Sequence, residues 1–208
     1  MPNLKFERSV NKDTGITRIA GLDEAGRGAL AGPVVAAAVI LPLDNPKQIR
    51  KLSKVDDSKR LAAKDRALLF DLITKHAWSF GVGKIEAARI DEVGIIPATK
   101  LAMLEALAQL NPQAQYLLVD GRLVLKSTPL PQQAIIRGDS RSMSIAAASI
   151  LAKVTRDRLM EMIDQSYPDY GFAAHKGYGT QFHRDVIGRL GPIAEHRRSF
   201  APMRLKLL

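Results

Sequence analysis

Ile19-Ala20-Gly21-Leu22-Asp23-Glu24-Ala25-Gly26-Arg27-Gly28 joins an apolar run to two adjacent carboxylates and then to a glycine–arginine–glycine loop. A second apolar run follows, Val34-Val35-Ala36-Ala37-Ala38-Val39-Ile40-Leu41, set between Pro33 and Pro42. Acidic groups at the end of a buried strand are costly unless a cation meets them. Glycines on both sides of Arg27 let backbone come close to a ligand. The stretch reads as the floor of a metal and phosphate site, and it predicts an α/β fold whose strands end at that site.

Outward from it, residues 16–22 read as one strand and 34–41 as its neighbour. The second is apolar without alternation, which suggests burial on both faces. Residues 61–77 are helical, with Leu61, Leu68, Leu69, Leu72 and Ile73 as an apolar stripe. Residues 78–82 alternate with period two and predict a third strand. A short helix over 85–93 precedes a helix running to Leu110, with Pro97 in its first turn. Residues 116–119 and 133–136 are two further short strands. Ser142 or Ser144 caps a long helix to about Ile163, and Thr180 and Gly191 bracket a helix over 180–190. Residues 6–12 are polar and predict no element, 13–15 read as a turn, and 47–58 as a basic, polar connection. Strands alternating with helices predict one α/β layer structure over 1–208, with the basic segment 171–208 packed against it.

Composition narrows the classes. No cysteine is present, which excludes disulfides and thiolate metal sites. The start, Met1-Pro2-Asn3-Leu4-Lys5-Phe6, lacks a signal-peptide core, and no apolar run nears the ~20 residues that span a bilayer. A soluble, cytoplasmic protein without membrane contact is the expectation. The formal net charge is +10, and it sits in two segments, 47–66 and 171–208. Basic segments around an acidic centre suggest a polyanion held near a cation site; two solvated faces are the plain alternative.

Three apolar runs end in Asp beside Gly: Leu22-Asp23, Val119-Asp120-Gly121 and Ile136-Arg137-Gly138-Asp139. In an open α/β sheet, ligands gather at the carboxyl ends of the strands. One such Asp is more often a cap or a turn residue. Three of them with Glu24 make an all-oxygen set that favours Mg²⁺ or Mn²⁺ and suits two-metal phosphoryl chemistry. Successive strand residues point to opposite faces. Asp23 and Glu24 therefore share an ion only if the strand ends or bends there.

Gly26-Arg27-Gly28 offers backbone N–H groups to phosphate or sugar oxygens. It is not a dinucleotide fingerprint, because Ala31 stands where the last glycine belongs. Residues 167–182 hold five of the chain's eleven aromatics. Phe172 and Phe182 read as core; Tyr178, between two glycines and near Lys176, suits stacking on a base or sugar. Small residues over 144–153 let a helix lie close to the sheet. Lys153, Arg156 and Arg158 read as phosphate contacts or surface charge. The four histidines form no His-x-x-x-His pair and read mostly as surface groups rather than metal ligands.

Taken in order, several motifs form a recognisable set. They are Asp23-Glu24-Ala25-Gly26-Arg27-Gly28, Asp57-Ser58-Lys59, Val119-Asp120-Gly121, Gly138-Asp139-Ser140 and Ala146-Ala147-Ala148-Ser149-Ile150-Leu151-Ala152-Lys153-Val154-Thr155-Arg156-Asp157, followed by Tyr170-Gly171-Phe172, His175-Lys176-Gly177-Tyr178 and His196-Arg197-Arg198-Ser199-Phe200. The set resembles the bacterial ribonuclease HII family from about Ile19 to Phe200. That resemblance implies a ribonuclease H-like fold: a mixed sheet of about five strands flanked by helices, with helical C-terminal additions. It implies a metal-dependent endoribonuclease that cuts the RNA strand of RNA–DNA hybrids and incises at single ribonucleotides in duplex DNA, leaving a 5′-phosphate and a 3′-hydroxyl. It implies catalytic carboxylates at Asp23, Glu24, Asp120 and Asp139, of which Asp23, Glu24 and Asp120 bind Mn²⁺ or Mg²⁺. Substrate contacts would come from Gly26, Arg27 and Gly28 at the ribose, Lys59 at phosphate, and Tyr178 stacked on the next sugar. Ala29 departs from the family by replacing a common proline. A monomer is the expectation. A non-catalytic hybrid-binding protein and a metal-dependent DNA exonuclease are the alternatives.

Overall fold

The computed structural model describes residues 1–59, 61–201 and 203; Arg60, Pro202 and residues 204–208, the end of the basic tail, lie outside the described residues. The chain runs α1 (Lys5–Thr14), β1 (Ile19–Ala25), β2 (Val34–Ile40), α2 (Pro46–Lys51), α3 (Ala63–His76), β3 (Ser79–Ile85), α4 (Ala87–Val93), α5 (Ile95–Ala108), β4 (Tyr116–Asp120), β5 (Gln132–Ile135), α6 (Met143–Ser166), α7 (Phe172–His175) and α8 (Gln181–Leu190). The sheet has five strands in the order β3-β2-β1-β4-β5. β1, β2 and β3 are antiparallel neighbours, whereas β4 runs parallel to β1 and to β5.

β2 is the axis of the core, and all seven of its residues are buried. Its pleat sorts them by parity. Val35, Ala37 and Val39 pack toward α6 and α3, with Ala147, Ile150, Leu151, Leu69 and Ile73. Val34, Ala36, Ala38 and Ile40 pack toward α5, with Ala98, Ala102, Met103 and Ala106. The run does not alternate in the sequence because helices cover both faces.

Small residues set how close those helices lie. A Cβ built on Gly21 of β1 would fall inside the contact shell of the Ser144 carbonyl carbon and the Ile145 nitrogen, at the start of α6. Gly81 and Gly83 of β3 meet the Ala106 and Ala102 carbonyl oxygens of α5 in the same way. On the outer edge of β3, Gln109 donates to the Val82 carbonyl at 2.7 Å and accepts from the Val82 N–H at 3.3 Å. Glu105 accepts from the Lys84 N–H at 3.1 Å.

Two helices depart from the sequence expectations. Residues 5–14 form α1 and 46–51 form α2. α2 buries no residue, and the apolar face of α1 is only Phe6 and Val10, packed on Ile19, Leu118 and Ile145, so α1 also leans on a polar tertiary contact. Its buried Glu7 accepts from the Ser144 N–H at 2.9 Å and from the Ser142 and Ser144 hydroxyls at 2.6 and 2.7 Å. A carboxylate on free N–H groups at a helix start is favourable. Ser142 is the α6 N-cap, as the sequence suggests, and Thr180 caps α8. The C-terminal helices join the body through Phe172, Val186 and Tyr170, packed on Ala31 and Met160.

Candidate active site

β1 does not end at Leu22. It continues through Asp23, Glu24 and Ala25, paired with Ala37, Ala36 and Val35 of β2. On its other side, pairing with β4 stops at Leu22 opposite Val119. The two acidic residues therefore stand past the last β1–β4 bond, at the carboxyl end of the parallel strands. The bend comes later, at Gly26, whose φ of 93° is open to glycine and strained for other residues.

There a cleft of about 230 Å³ is lined by Asp23, Glu24, Gly26, Arg27, Gly28, Lys59, Asp120 and Tyr178, together with Ser58, Ser149 and Lys153. Every substrate-contact residue expected from the sequence thus borders one cavity, with three of the four carboxylates. Asp139 does not line it. It is buried just behind, on a short 3-10 turn after β5, and Lys59 Nζ reaches it at 3.1 Å. Asp120 ends β4, and its Oδ1 accepts from the Gly138 N–H at 2.6 Å, which ties the two acidic loops together.

The carboxylates are crowded. Burial, then the charges of Glu24 and Asp120, hold the Asp23 carboxyl well above its usual range. Burial also raises Glu24, against the opposing pull of Arg27 at 3.0 Å. Burial and then Asp139 raise Asp120. Burial works against the Lys59 ammonium, yet the Asp139 hydrogen bond and nearby acidic charges outweigh it, so Lys59 is raised. Glu24 Oε2 is buried without a hydrogen-bond partner among the described residues. An unpaired buried carboxylate oxygen beside two other acids costs free energy that a cation would offset. The donor set is all oxygen, which fits a hard divalent cation. Among the described residues no three acidic or imidazole groups converge into a closed cage. Arg27 and Lys59 are instead the cations that engage Glu24 and Asp139.

Tyr178 is 37% exposed, with its ring under Arg156 at 5.3 Å and Lys153 at 5.9 Å. Its backbone is fixed from below by imidazoles, which corrects the reading of the histidines as surface groups. His183 and His196 are buried. The Ile193 N–H donates to His196 Nδ1 at 3.0 Å, so His196 carries its proton on Nε2. That proton goes to His183 Nε2 at 3.1 Å, and His183 Nδ1 donates to the Tyr178 carbonyl at 3.0 Å. His175 stacks on His183 at 4.2 Å and bonds the Tyr170 carbonyl and the Gly177 N–H. These bonds need neutral rings.

An acid-sensitivity prediction follows from the sign of the shift. Burial lowers His183 to about 4; burial and then the His183 charge lower His196 to about 4. An unfolded histidine titrates near ~6.5. The stability from keeping both rings neutral is therefore complete above that pH. It drains as pH falls from ~6.5 toward 4, because the unfolded chain takes up protons first. The crowded carboxylates act in the opposite sense, so a variant is the reference. Between pH 7 and pH 5 the unfolding free energy of wild type, read from urea titrations, is expected to fall further than that of His196→Leu, by on the order of 1–2 kcal/mol. Parallel pH dependences would refute the imidazole contribution.

Other expectations need correction. Arg156 is not a surface or phosphate-binding cation. It is fully buried and donates to the Ala31, Pro33 and Lys176 carbonyls. Arg158, by contrast, is exposed as a surface charge would be, and lies over the Phe70 ring at 4.6 Å. Phe172 is core, but Phe182 is 57% exposed, set against Gly171. Sequence reasoning gave no separate role to Ser58 or Ser149, which line the cleft, or to buried Arg197. A serine or arginine reports nothing of its depth until the elements around it are assembled.

A family model described as Ribonuclease HII matches residues 20–203. Ribonuclease HII of Geobacillus thermodenitrificans (strain NG80-2) is 55% identical over 201 residues, spanning 97% of this chain and 74% of its own. The crystal structure of ribonuclease H2 from Pyrococcus horikoshii OT3 is similar with a TM-score of 0.76 at 27% identity, over 90% of this chain and 95% of that one. The RNase HII of Archaeoglobus fulgidus, solved in complex with PCNA, is similar with a TM-score of 0.72 at 30% identity, over 86% and 93% of the two chains.

Proposed function

The chain belongs to the ribonuclease HII family, and from that premise we propose that the cleft at the end of β1 and β4 is where it does its chemistry. As a member of that family it cleaves the RNA strand of RNA–DNA hybrids and incises at ribonucleotides embedded in duplex DNA. Its sheet is the ribonuclease H-like one. The observation that carries the site is convergence: Asp23, Glu24 and Asp120, from two strands, border one cavity with the glycine loop, Lys59 and Tyr178. We read the chain as one domain, since α7 and α8 pack on Ala31 and Met160, and Arg197 bonds the loop after β1.

In this reading Asp23, Glu24 and Asp120 hold Mg²⁺ or Mn²⁺, and Asp139 completes the acidic set from behind. A divalent cation held there supplies charge neutralisation for the approaching phosphate and activation of the attacking water. The chain's own groups do the rest. Lys59, whose side chain is 79% exposed and whose Nζ bonds Asp139, can exchange that contact for a phosphate oxygen. Arg27 can leave Glu24 for the backbone in the same way, which frees Glu24 for the ion. The N–H groups of Arg27 and Gly28 find no backbone partner among the described residues, and they are free donors for a ribose 2′-hydroxyl. On deoxyribose that site leaves its polar groups unpaired, which disfavours plain DNA. The Tyr178 ring offers a stacking face to the adjoining sugar. The products are a 5′-phosphate and a 3′-hydroxyl.

Matched duplexes carrying zero, one or several ribonucleotides test this reading in Mg²⁺, Mn²⁺ or chelator. Cleavage is expected only at ribonucleotides and only with the ion. Cutting of all-DNA duplex at a comparable rate would favour the exonuclease, and binding without cleavage would favour the non-catalytic binder. In the same assay Tyr178→Phe is expected to stay within about threefold of wild type. Tyr178→Ala is expected to lose on the order of tenfold to a hundredfold, one stacking interaction's worth. Equal losses in both would assign the role to the hydroxyl instead.

A further inference from the structure

Arg156 and Arg197 are both fully buried, and neither forms an ion pair among the described residues. Two desolvated guanidiniums near one another are costly unless their donors are well used. Burial, then the charge of Arg156, lower Arg197 to about 9.

Their donors go almost entirely to one stretch of backbone. Arg197 Nη1 bonds the Ala29 carbonyl at 2.8 Å and the Arg27 carbonyl at 3.1 Å. Its Nε and Nη2 bond the Gly32 carbonyl at 3.0 and 2.9 Å. Arg156 takes the Ala31 carbonyl at 3.0 Å and the Pro33 carbonyl at 2.9 Å. Its third donor holds the Lys176 carbonyl, two residues before Tyr178, and its guanidinium lies against the Tyr178 ring. A Cβ on Gly26 would strike the Arg156 side chain. Five carbonyls within residues 27–33 are therefore turned inward onto two side chains. The N–H groups of Arg27 and Gly28, without a partner among the described residues, remain at the wall of the cleft.

We propose that Arg197 and Arg156 are positioning residues for ribose recognition: by fixing the carbonyl side of the 27–33 loop, they hold the Arg27 and Gly28 N–H groups in the orientation that distinguishes ribose from deoxyribose. The proposal rests on the reading that this loop meets the 2′-hydroxyl. A lysine at either position keeps the charge but gathers its donors at one point in place of a planar fork, so it does not reproduce the spread of bonds to separate carbonyls.

The test is a ratio of affinities, measured on the full chain with Ca²⁺ in place of the activating ion. One probe is a DNA duplex with a single ribonucleotide, and the other is the same duplex in all-DNA form. Wild type is expected to favour the first. Arg197→Lys is expected to lose roughly tenfold of that preference, about one to two hydrogen bonds, while affinity for the all-DNA duplex stays within about twofold, since phosphate contacts are untouched. Arg156→Lys is the second variant and is expected to act in the same direction. A variant that weakens both duplexes equally, leaving the ratio unchanged, would show a merely structural role and overturn the proposal. If neither variant keeps the wild-type circular dichroism spectrum, the arginines hold up the fold rather than tune the loop, and the proposal fails. Wild type with no preference would instead overturn the ribose-reading role of the loop itself.

Discussion

Asp23→Asn is expected to abolish cleavage of a duplex carrying one ribonucleotide while leaving the protein as stable as wild type, or more so. The two effects have one cause. Asp23 is buried beside Glu24 and Asp120, and its charge is opposed by burial and by both neighbours. Asparagine keeps the shape and an acceptor for the Glu24 N–H, which bonds Asp23 Oδ1 at 2.7 Å. It removes the negative charge that repels its neighbours and that would attract a cation. Turnover should fall by on the order of a thousandfold or more, as for other groups that place charge at a reacting centre. The melting temperature should hold or rise, by about 2–4 °C for each kcal/mol of repulsion relieved. Single-turnover cleavage and thermal unfolding, measured together, decide it. Near-normal turnover would remove Asp23 from the ion site, and a large loss of stability would show that the acid is there for the fold.

Gly21→Ala is expected to do the reverse, damaging the fold before the chemistry. Gly21 lies two residues before Asp23, on the face of β1 that meets the start of α6. A methyl group there runs into the backbone of Ser144 and Ile145 rather than a movable side chain. To relieve it, α6 must lift from the sheet, disturbing the Glu7 bonds at its first turn and the packing of Ala147 and Leu151. Overpacking against rigid backbone should cost about 3 kcal/mol, the upper end of the usual range, visible as a large drop in the urea midpoint or as insoluble protein. Gly188→Ala in α8 is the control. Nothing lies within 4 Å of its Cβ position, and alanine is the better helix former by up to ~1 kcal/mol. A Gly21→Ala protein as stable as wild type would mean that α6 does not rest on β1 as described.

How far the sequence foretold this structure depends on what each element relies on. β2 was legible because a buried central strand announces itself as an unbroken apolar run between prolines. Asp23, Asp120 and Asp139 were legible because each closes an apolar run with a glycine within two residues, and the sheet brings their ends together. The end of β1 was misplaced. Nothing in Asp23-Glu24 reveals that β2 goes on pairing after β4 has stopped. α1 was missed because its support is tertiary: Glu7 makes sense only once Ser142 and Ser144 stand over it. The histidines and Arg156 were misread, and Arg197 was passed over, for a related reason. Polar residues suggest surface on average, and their burial depends on partners such as Gly32 and Ala31, far away in the chain. Phe182 erred in the other direction, an aromatic outside the core that its composition suggested.

The outer border of β3 bears on how this molecule behaves in company. A free strand border is an invitation to any extended peptide that can match its spacing, and growth of the sheet from molecule to molecule begins there. At Val82 that invitation is withdrawn: Gln109 satisfies both the donor and the acceptor that a visiting backbone would need, and Glu105 takes the donor of Lys84. The helix that fills one side of the core thus also acts as a guard rail, so Trp78 and Phe80 can remain exposed nearby without a ladder for a neighbouring chain to climb.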